Sequence, residues 1–494
     1  MSLWVAMSPL LLLMVSGLFI MLVDAFAKER AELATVTSVA LGVSGAISLA
    51  LLVTQDTPTN LPEFVTNYIA VDKAALFFDV AICIGGALSA LLAGGYLREH
   101  GMERGEFYVL ILFSAFGAMI LARSTDLLTL FVGLETMSLG VYAMAAFRRT
   151  SARAVEGAIK YFLLGSFAAA ILLFGAALLY AGTGATSFAG IGEAVRGGQA
   201  ETRLVLLGML MTIVGLAFKV SAVPFHMWTP DAYEGSVTPA TTFMSVAVKT
   251  AAFAVFVRVL MVGFGDELSM SETAGWPPLL AGLAVITMVY GNIAAVGQSN
   301  IKRMLAYSSI AHAGYVLVGL VAAFRVGDTG ISAVLFYLLA YTISNALAFG
   351  SLIYFGSRGK EAVSYADLRG VGRRHPMAAL PMIIGALSLM GFPPTAGFFG
   401  KYYVFNAAVQ AGDWLVWLAV IGVLTSAIGA YYYLRLIVVM FMEKPEPADP
   451  IAVPMRSGYV ATALSIAGIA VLQLGLMPGW FLDLAVQAAQ QLVA

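Results

Sequence analysis

The sequence predicts an all-α integral membrane protein, a single polytopic domain of about fourteen transmembrane helices, two of them broken at membrane depth. Three observations carry that expectation. Of 494 residues, 60% are hydrophobic and only 11% are charged, too little polar surface to cover a water-soluble globule of this size. The apolar runs are about 20 residues long, the length of a spanning helix, whereas a barrel strand needs only about 10. The cations also alternate: with fourteen spans, sixteen of the 27 Lys and Arg residues fall on odd-numbered loops and five on even-numbered ones. That bias puts odd loops in the cytoplasm and both termini on the opposite side.

Taken in order, the helices are expected near 6–25, 34–54, 74–97, 106–122, 126–147, 156–182, 203–228, 238–264, 277–296, 301–324, 330–356, 378–411, 414–442 and 455–478. The first lacks a basic leader and a small-residue cleavage pattern, so it is expected to stay in the mature protein. The fifth opens at Asp126, a good N-cap. The seventh is interrupted at Pro224, and the twelfth by Gly391, Pro393, Pro394 and Gly397. The longest connections, near 55–73, 183–202 and 357–377, leave no room for a soluble domain.

Composition also excludes functions. A net charge of −1 gives no field to recruit nucleic acid. A lone cysteine, Cys83, cannot ligate an iron–sulfur cluster, four scattered histidines make no haem site, and no G-x-G-x-x-G turn is present. Electron transfer is therefore not expected of this chain.

The informative residues are charges inside the spans, which a membrane protein keeps only with a partner or a task. Glu135 lies nine residues past Asp126, roughly 13.5 Å along the helix, and Lys249 eleven past Thr238, roughly 16.5 Å. Lys219 precedes Pro224 by five residues, and Lys401 follows the second break. Broken helices at this depth line cavities or are buried in protein, and each break here sits beside a lysine. Lys160 reads equally as an i,i+4 surface partner of Glu156. His226 and His312 read as packed polar side chains or as proton relays. Arg258 and Arg435 are expected to snorkel at helix ends, Asp79 to be interfacial, and Asp231 and Glu234 to lie in the loop after the seventh helix.

The two interrupted helices are five apart, and an odd repeat unit inverts in the membrane. Glu135 to Lys219 spans 84 residues and His312 to Lys401 spans 89, so His312 is expected at the place in the second unit that Glu135 has in the first.

At these residues the sequence resembles the antiporter-like membrane subunits of respiratory complex I. The resemblance rests on "DLLTLFVGLETMSLGVYAM", "EGAIKYFLLGSFAAAILLFGAALLYAGTG", "FKVSAVPFHMWTPDAYEGS", "NIKRMLAYSSIAHAGY" and "GFPPTAGFFGKYYVF", in that order along about 300 residues. Within the family it looks most like the subunit N group, the counterpart of mitochondrial subunit 2. Subunit L carries a long C-terminal lateral helix and subunit M a glutamate where Lys401 stands. The resemblance implies helices 1–3 over 1–100, inverted five-helix repeats over 106–264 and 277–442, and a last helix and tail over 455–494. It implies a proton relay of Glu135, Lys219, Lys249, His312 and Lys401, with Lys160 and His226 as further members. Glu135 and Lys219 are expected to form an adjustable pair in which closeness holds the lysine as a cation and separation releases its proton. No cofactor is expected on this chain; NAD(H), FMN, iron–sulfur clusters and quinone would sit on partner subunits. Expected partners are sister antiporter-like subunits, small membrane subunits and lipids, in a bacterial inner membrane. The large subunit of Mrp-type sodium/proton antiporters is the alternative, and an inert structural spacer a third reading.

Overall fold

The computed structural model describes residues 3–26, 32–54, 62–356, 359–445 and 452–493. Lys28, Arg30 and Arg358, which entered the loop-charge argument, lie outside them. Among the described residues, thirteen helices are long and apolar enough to cross a membrane, and a fourteenth crosses in two pieces. They are α1 (Leu3–Phe26), α2 (Leu33–Thr54), α3 (Lys73–Glu99), α4 (Gly105–Arg123), α5 (Leu127–Ala145), α6 (Ala152–Thr183), α7a (Thr202–Val220) with α7b (Trp228–Gly235), α8 (Thr238–Gly263), α9 (Trp276–Val296), α10 (Ile301–Val326), α11 (Asp328–Phe355), α12a (Pro376–Met390) with α12b (Ala396–Ala411), α13 (Val416–Phe441) and α14 (Gly458–Leu476). The starts follow from local chemistry. Asp72, Asp126, Ser151 and Asn300 each accept a hydrogen bond from an otherwise unpaired backbone N–H in the first turn of α3, α5, α6 and α10.

Both expected breaks are present and are built alike. α7a ends at Ser221 (φ 65°) and α12a at Gly391 (φ 89°), left-handed caps each followed three residues later by a cis proline, Pro224 and Pro394. The freed backbone groups find polar partners inside the protein, as membrane depth requires. The Trp228 indole donates to the Phe218 carbonyl (3.1 Å) and Val223 N–H donates to Thr287 Oγ1 (2.9 Å). At the second break Lys401 Nζ donates to the Met390 carbonyl (2.9 Å), and Gly397 N–H to Ser388 Oγ (3.0 Å). Asp231 and Glu234, expected in a loop, lie on α7b because the chain re-enters helix at Trp228.

The inverted repeat is visible in backbone pairing. The cap of α5, Asp126, forms a β-bridge with Ser187, the cap of a short helix that follows α6. The cap of α10, Asn300, does the same with Ser364, the cap of a short helix that follows α11. α4 packs on α5 as α9 packs on α10, and α6 on α7a as α11 on α12. Five crossings separate the two bridges, so they lie at opposite ends of the bundle. Counting from the caps corrects one expectation: Ser309, nine residues past Asn300, holds the place of Glu135, and His312 lies one turn beyond.

α11 is enclosed by protein along its whole span, and α8 and α10 nearly so. Two expectations near the even-loop end are corrected. Asp79 and Arg123 are fully buried and paired with each other, and Arg258 grips Asp72 with two hydrogen bonds (2.6 and 2.7 Å) while donating to the Ala122 carbonyl (2.9 Å). Their charges are neutralised inside the bundle rather than carried to an interface, because each guanidinium meets both a carboxylate and a backbone carbonyl. Arg435 lies inside α13, short of its last turn, with its guanidinium 4.2 Å from the ring centre of Tyr365. An additional helix, α15 (Gly479–Val493), was not expected: it is too short to cross, and its inner face of Leu484, Ala485, Ala488 and Ala489 lies on α3 and α11.

At the odd-loop end, Lys302 of α10 donates to the carbonyl of Ser236, which ends α7b (2.6 Å), and lies 3.7 Å from Glu361. Glu361 also accepts from Tyr96 of α3 (2.6 Å) and Thr238 of α8 (2.7 Å). Burial resists its charge, but Lys302 and these two hydroxyls hold its carboxyl below the ordinary glutamate value. A depressed carboxyl contributes stability that is complete above its unfolded value and is lost as pH falls through the folded one. Thermal unfolding of the purified assembly from pH 6 to pH 4 therefore shows Tm falling toward acid. Glu361→Gln lowers Tm at pH 6 and flattens the slope; an unchanged slope in this variant refutes the clasp. Helix contact gives a second test. A Cβ on Gly117 of α4 would meet the backbone of Met137 in α5 at 2.4 Å, whereas Gly282 is open. Gly117→Val is expected to cost about 1–3 kcal/mol, read as a loss of assembled protein, with Gly282→Ala at wild-type level.

Candidate functional site

The enclosed helices α8, α10 and α11 carry the polar groups that a lipid-facing helix could not. Lys249 follows directly on a π-helical turn of α8, Met244–Val248, a local irregularity common at functional positions. Its Nζ donates to Ser309 of α10 twice, at the carbonyl (2.7 Å) and at Oγ (2.6 Å). Tyr341 of α11 donates to the same Oγ (2.8 Å) and accepts from Asn345 (3.0 Å). His312, one turn along α10, sits between two hydroxyls, Tyr337 at 2.6 Å and Tyr433 of α13 at 3.1 Å. Its ring centre is 5.1 Å from that of Tyr341 and 5.5 Å from that of Tyr315. The Tyr315 ring lies 5.0 Å from Lys401 Nζ, which donates to Ser426 of α13 (2.7 Å) as well as to the α12 break. Lys249, His312 and Lys401 are thus joined by one buried set of hydroxyls and rings, and Lys401 also borders a cavity of about 790 Å³ between α12 and α13.

The other end is arranged differently. Lys219, 4% exposed on α7a, has no hydrogen-bond partner at Nζ; the Tyr142 and Tyr161 rings lie 5.3 and 5.4 Å away. Glu135 is half-buried beside the exposed stripe Leu128, Val132 and Leu139 of α5, and its Oε1 is unpartnered. The two lie in one neighbourhood but make no ion pair within 4.0 Å.

Two candidates lie apart from this set. Lys160 is exposed and paired with Glu156 (2.7 Å) and Asp231 (2.7 Å); Asp231 in turn accepts from Arg303 (2.6 Å). The i,i+4 pair is present, extended to α7b and α10. His226 lies in the bend between α7a and α7b against Tyr290 of α9, 4.7 Å between ring centres. Among the described residues no cluster of three or more His, Cys, Asp or Glu is placed to hold a metal ion.

Sequence reasoning missed Ser309, Tyr337, Tyr341, Tyr433 and Ser426. A signal existed for α11: Tyr337, Tyr341, Ser344 and Asn345 recur at helical spacing in an otherwise apolar run, one polar face on a helix with no exposed side.

Comparison with known proteins agrees with this architecture. Residues 124–429 match the family model described as NADH:quinone oxidoreductase/Mrp antiporter, TM. NADH-quinone oxidoreductase subunit N 1 of Sorangium cellulosum is 53% identical over 98% of both chains, and subunit N of Trichlorobacter lovleyi is 41% identical over 98% of this chain and 96% of that one. A chain in the respiratory complex I of Thermus thermophilus superposes with a TM-score of 0.79 at 36% identity, covering 97% of this chain and 99% of that one. A chain of the Mrp complex of a Dietzia species superposes at 0.83 with 22% identity over 100% and 98%, a likeness of fold alone. The chain belongs to the NADH:quinone oxidoreductase/Mrp antiporter membrane family, in its subunit N group.

Proposed function

We propose that this chain translocates protons as a membrane-arm subunit of an NADH:quinone oxidoreductase, driven by quinone chemistry elsewhere in the complex. One observation carries the reading. Lys219, Lys249 and Lys401 are buried on three different helices, and among the described residues none lies within 4.0 Å of a carboxylate. A lysine kept at membrane depth without a fixed counter-charge is expensive as structure and useful as a proton carrier. The buried pairs Arg258–Asp72 and Arg123–Asp79 show that this fold neutralises a cation where it only needs one in place.

In this reading Glu135 approaches Lys219 to hold its proton and withdraws to release it. The proton passes to Lys249, then by Ser309, Tyr341 and His312 to Lys401, with Lys160 and His226 at the margins. The repeats 106–264 and 277–442 supply one half-path each, and helices 1–3 (1–100) and the segment 455–494 brace them. Odd-numbered loops face the cytoplasm and both termini the other side of a bacterial inner membrane. In this reading the redox chemistry, with NAD(H), FMN, iron–sulfur clusters and quinone, belongs to partner subunits, and lipids and sister subunits cover the outer faces of this chain.

Glu135→Gln and Lys219→Ala test this in the assembled complex reconstituted in vesicles, with enzyme content quantified. Protons moved per NADH oxidised are expected to fall about tenfold or more. A normal ratio in variants that assemble refutes the relay and leaves the charges as structure.

A further inference from the structure

The set of hydroxyls and rings reaches from Lys249 to Lys401 but leaves Lys219 without a contact to Lys249. Two tyrosines stand in that interval. Tyr161 of α6 and Tyr233 of α7b are both 0% exposed, and both hydroxyls lack a hydrogen-bond partner. A phenol oxygen buried without a partner costs about 1–3 kcal/mol, so two in one place call for an explanation. They flank one side chain: Trp228 is stacked on Tyr161 (4.1 Å between ring centres) and meets Tyr233 edge-on (6.2 Å). The indole N–H is committed to the Phe218 carbonyl, so Trp228 holds the two rings and exchanges no proton. On the near side, the Tyr161 ring lies 5.4 Å from Lys219 Nζ. On the far side, Ser309 lies beside the Tyr233 hydroxyl, and its Oγ accepts from Lys249 and Tyr341.

We propose that Tyr161 and Tyr233 carry the proton between Lys219 and Lys249, an inference that rests on the relay reading above and names the step it leaves open. A water between the two takes a proton from the Lys219 ammonium and passes one of its own to the Tyr161 oxygen, so an N–H bond breaks as an O–H bond forms at Tyr161. The former Tyr161 hydroxyl proton passes through a bridging water to the Tyr233 oxygen. Once Lys249 is neutral its lone pair turns to the Ser309 hydroxyl, which frees Oγ to take the former Tyr233 proton as the former Ser309 proton passes to the amine. Each hydroxyl gains one proton and gives one up, so neither tyrosine is left ionised and one proton has moved.

The experiment uses the whole reconstituted complex and compares Tyr161→Phe, Tyr233→Phe and Lys219→Ala with Tyr108→Phe, whose buried unpartnered hydroxyl lies on α4, away from this line. Phenylalanine preserves the stack on Trp228 and removes only the hydroxyl. Each Tyr161 and Tyr233 variant is expected to lower protons pumped per NADH by about threefold or more and to raise the solvent isotope effect on turnover, with Tyr108→Phe at wild-type values. Wild-type pumping in both phenylalanine variants, with pumping lost in Lys219→Ala, overturns the tyrosine step and keeps the relay. Wild-type pumping in Lys219→Ala overturns the relay itself. Should a phenylalanine variant fail to assemble, 3-fluorotyrosine at that position keeps ring and hydroxyl. The pH profile of pumping then shifts toward acid if the hydroxyl carries the proton, and an unshifted profile overturns the proposal.

Discussion

The controlling constraint is that backbone polar groups at membrane depth must find their partners inside the protein. It explains why the irregular features of this chain are clustered. The two broken helices free backbone carbonyls and N–H groups, and these are met by Trp228, Thr287, Ser388 and Lys401 rather than by lipid. The same constraint places the polar chain on α8, α10 and α11, which have protein on all sides, while the outer faces of α1, α5 and α13 carry Trp4, Phe19, Val132, Trp417 and Leu424.

Two classes of buried charge can be told apart by their surroundings. The arginines at the even-loop end meet carboxylates in bidentate or near-bidentate geometry, and the guanidinium, always charged, suits a permanent joint between α3, α4 and α8. Lys219, Lys249 and Lys401 have hydroxyls, carbonyls and aromatic faces instead. Lysine can give up its charge and arginine cannot, and that is the division of residue types the proposed relay requires.

Most of the fold was legible from residues alone because a spanning helix writes its length directly into composition, and because a cap such as Asp126 and breakers such as Pro224 and Pro394 mark ends by local chemistry. α15 was not legible, because fifteen residues of amphipathic helix give neither a spanning run nor a cap; only the spacing of Leu484, Ala485, Ala488 and Ala489 hints at it. The lysines stood out because charge is rare in a span. Their partners did not: Ser309, Tyr341 and Ser426 are ordinary residues of membrane helices until tertiary packing brings three helices together around them. The place of His312 shifted by one turn for a related reason, since the two breaks differ in their distance from the caps and only backbone pairing sets the register.

Lys249 and Lys401 share a detail with a chemical consequence. Each ammonium makes two hydrogen bonds to the protein, Lys249 to the carbonyl and hydroxyl of Ser309, Lys401 to the Met390 carbonyl and the Ser426 hydroxyl. An ammonium has three N–H donors, and a neutral amine keeps two. A neutral Lys401 amine can therefore still serve both of its acceptors, including the carbonyl exposed by the broken twelfth helix, and a neutral Lys249 amine can keep the Ser309 carbonyl while its lone pair turns to the Ser309 hydroxyl. The scaffold is indifferent to whether the site is loaded or empty: the charge can come and go many times while the bonds that hold the helices stay in place.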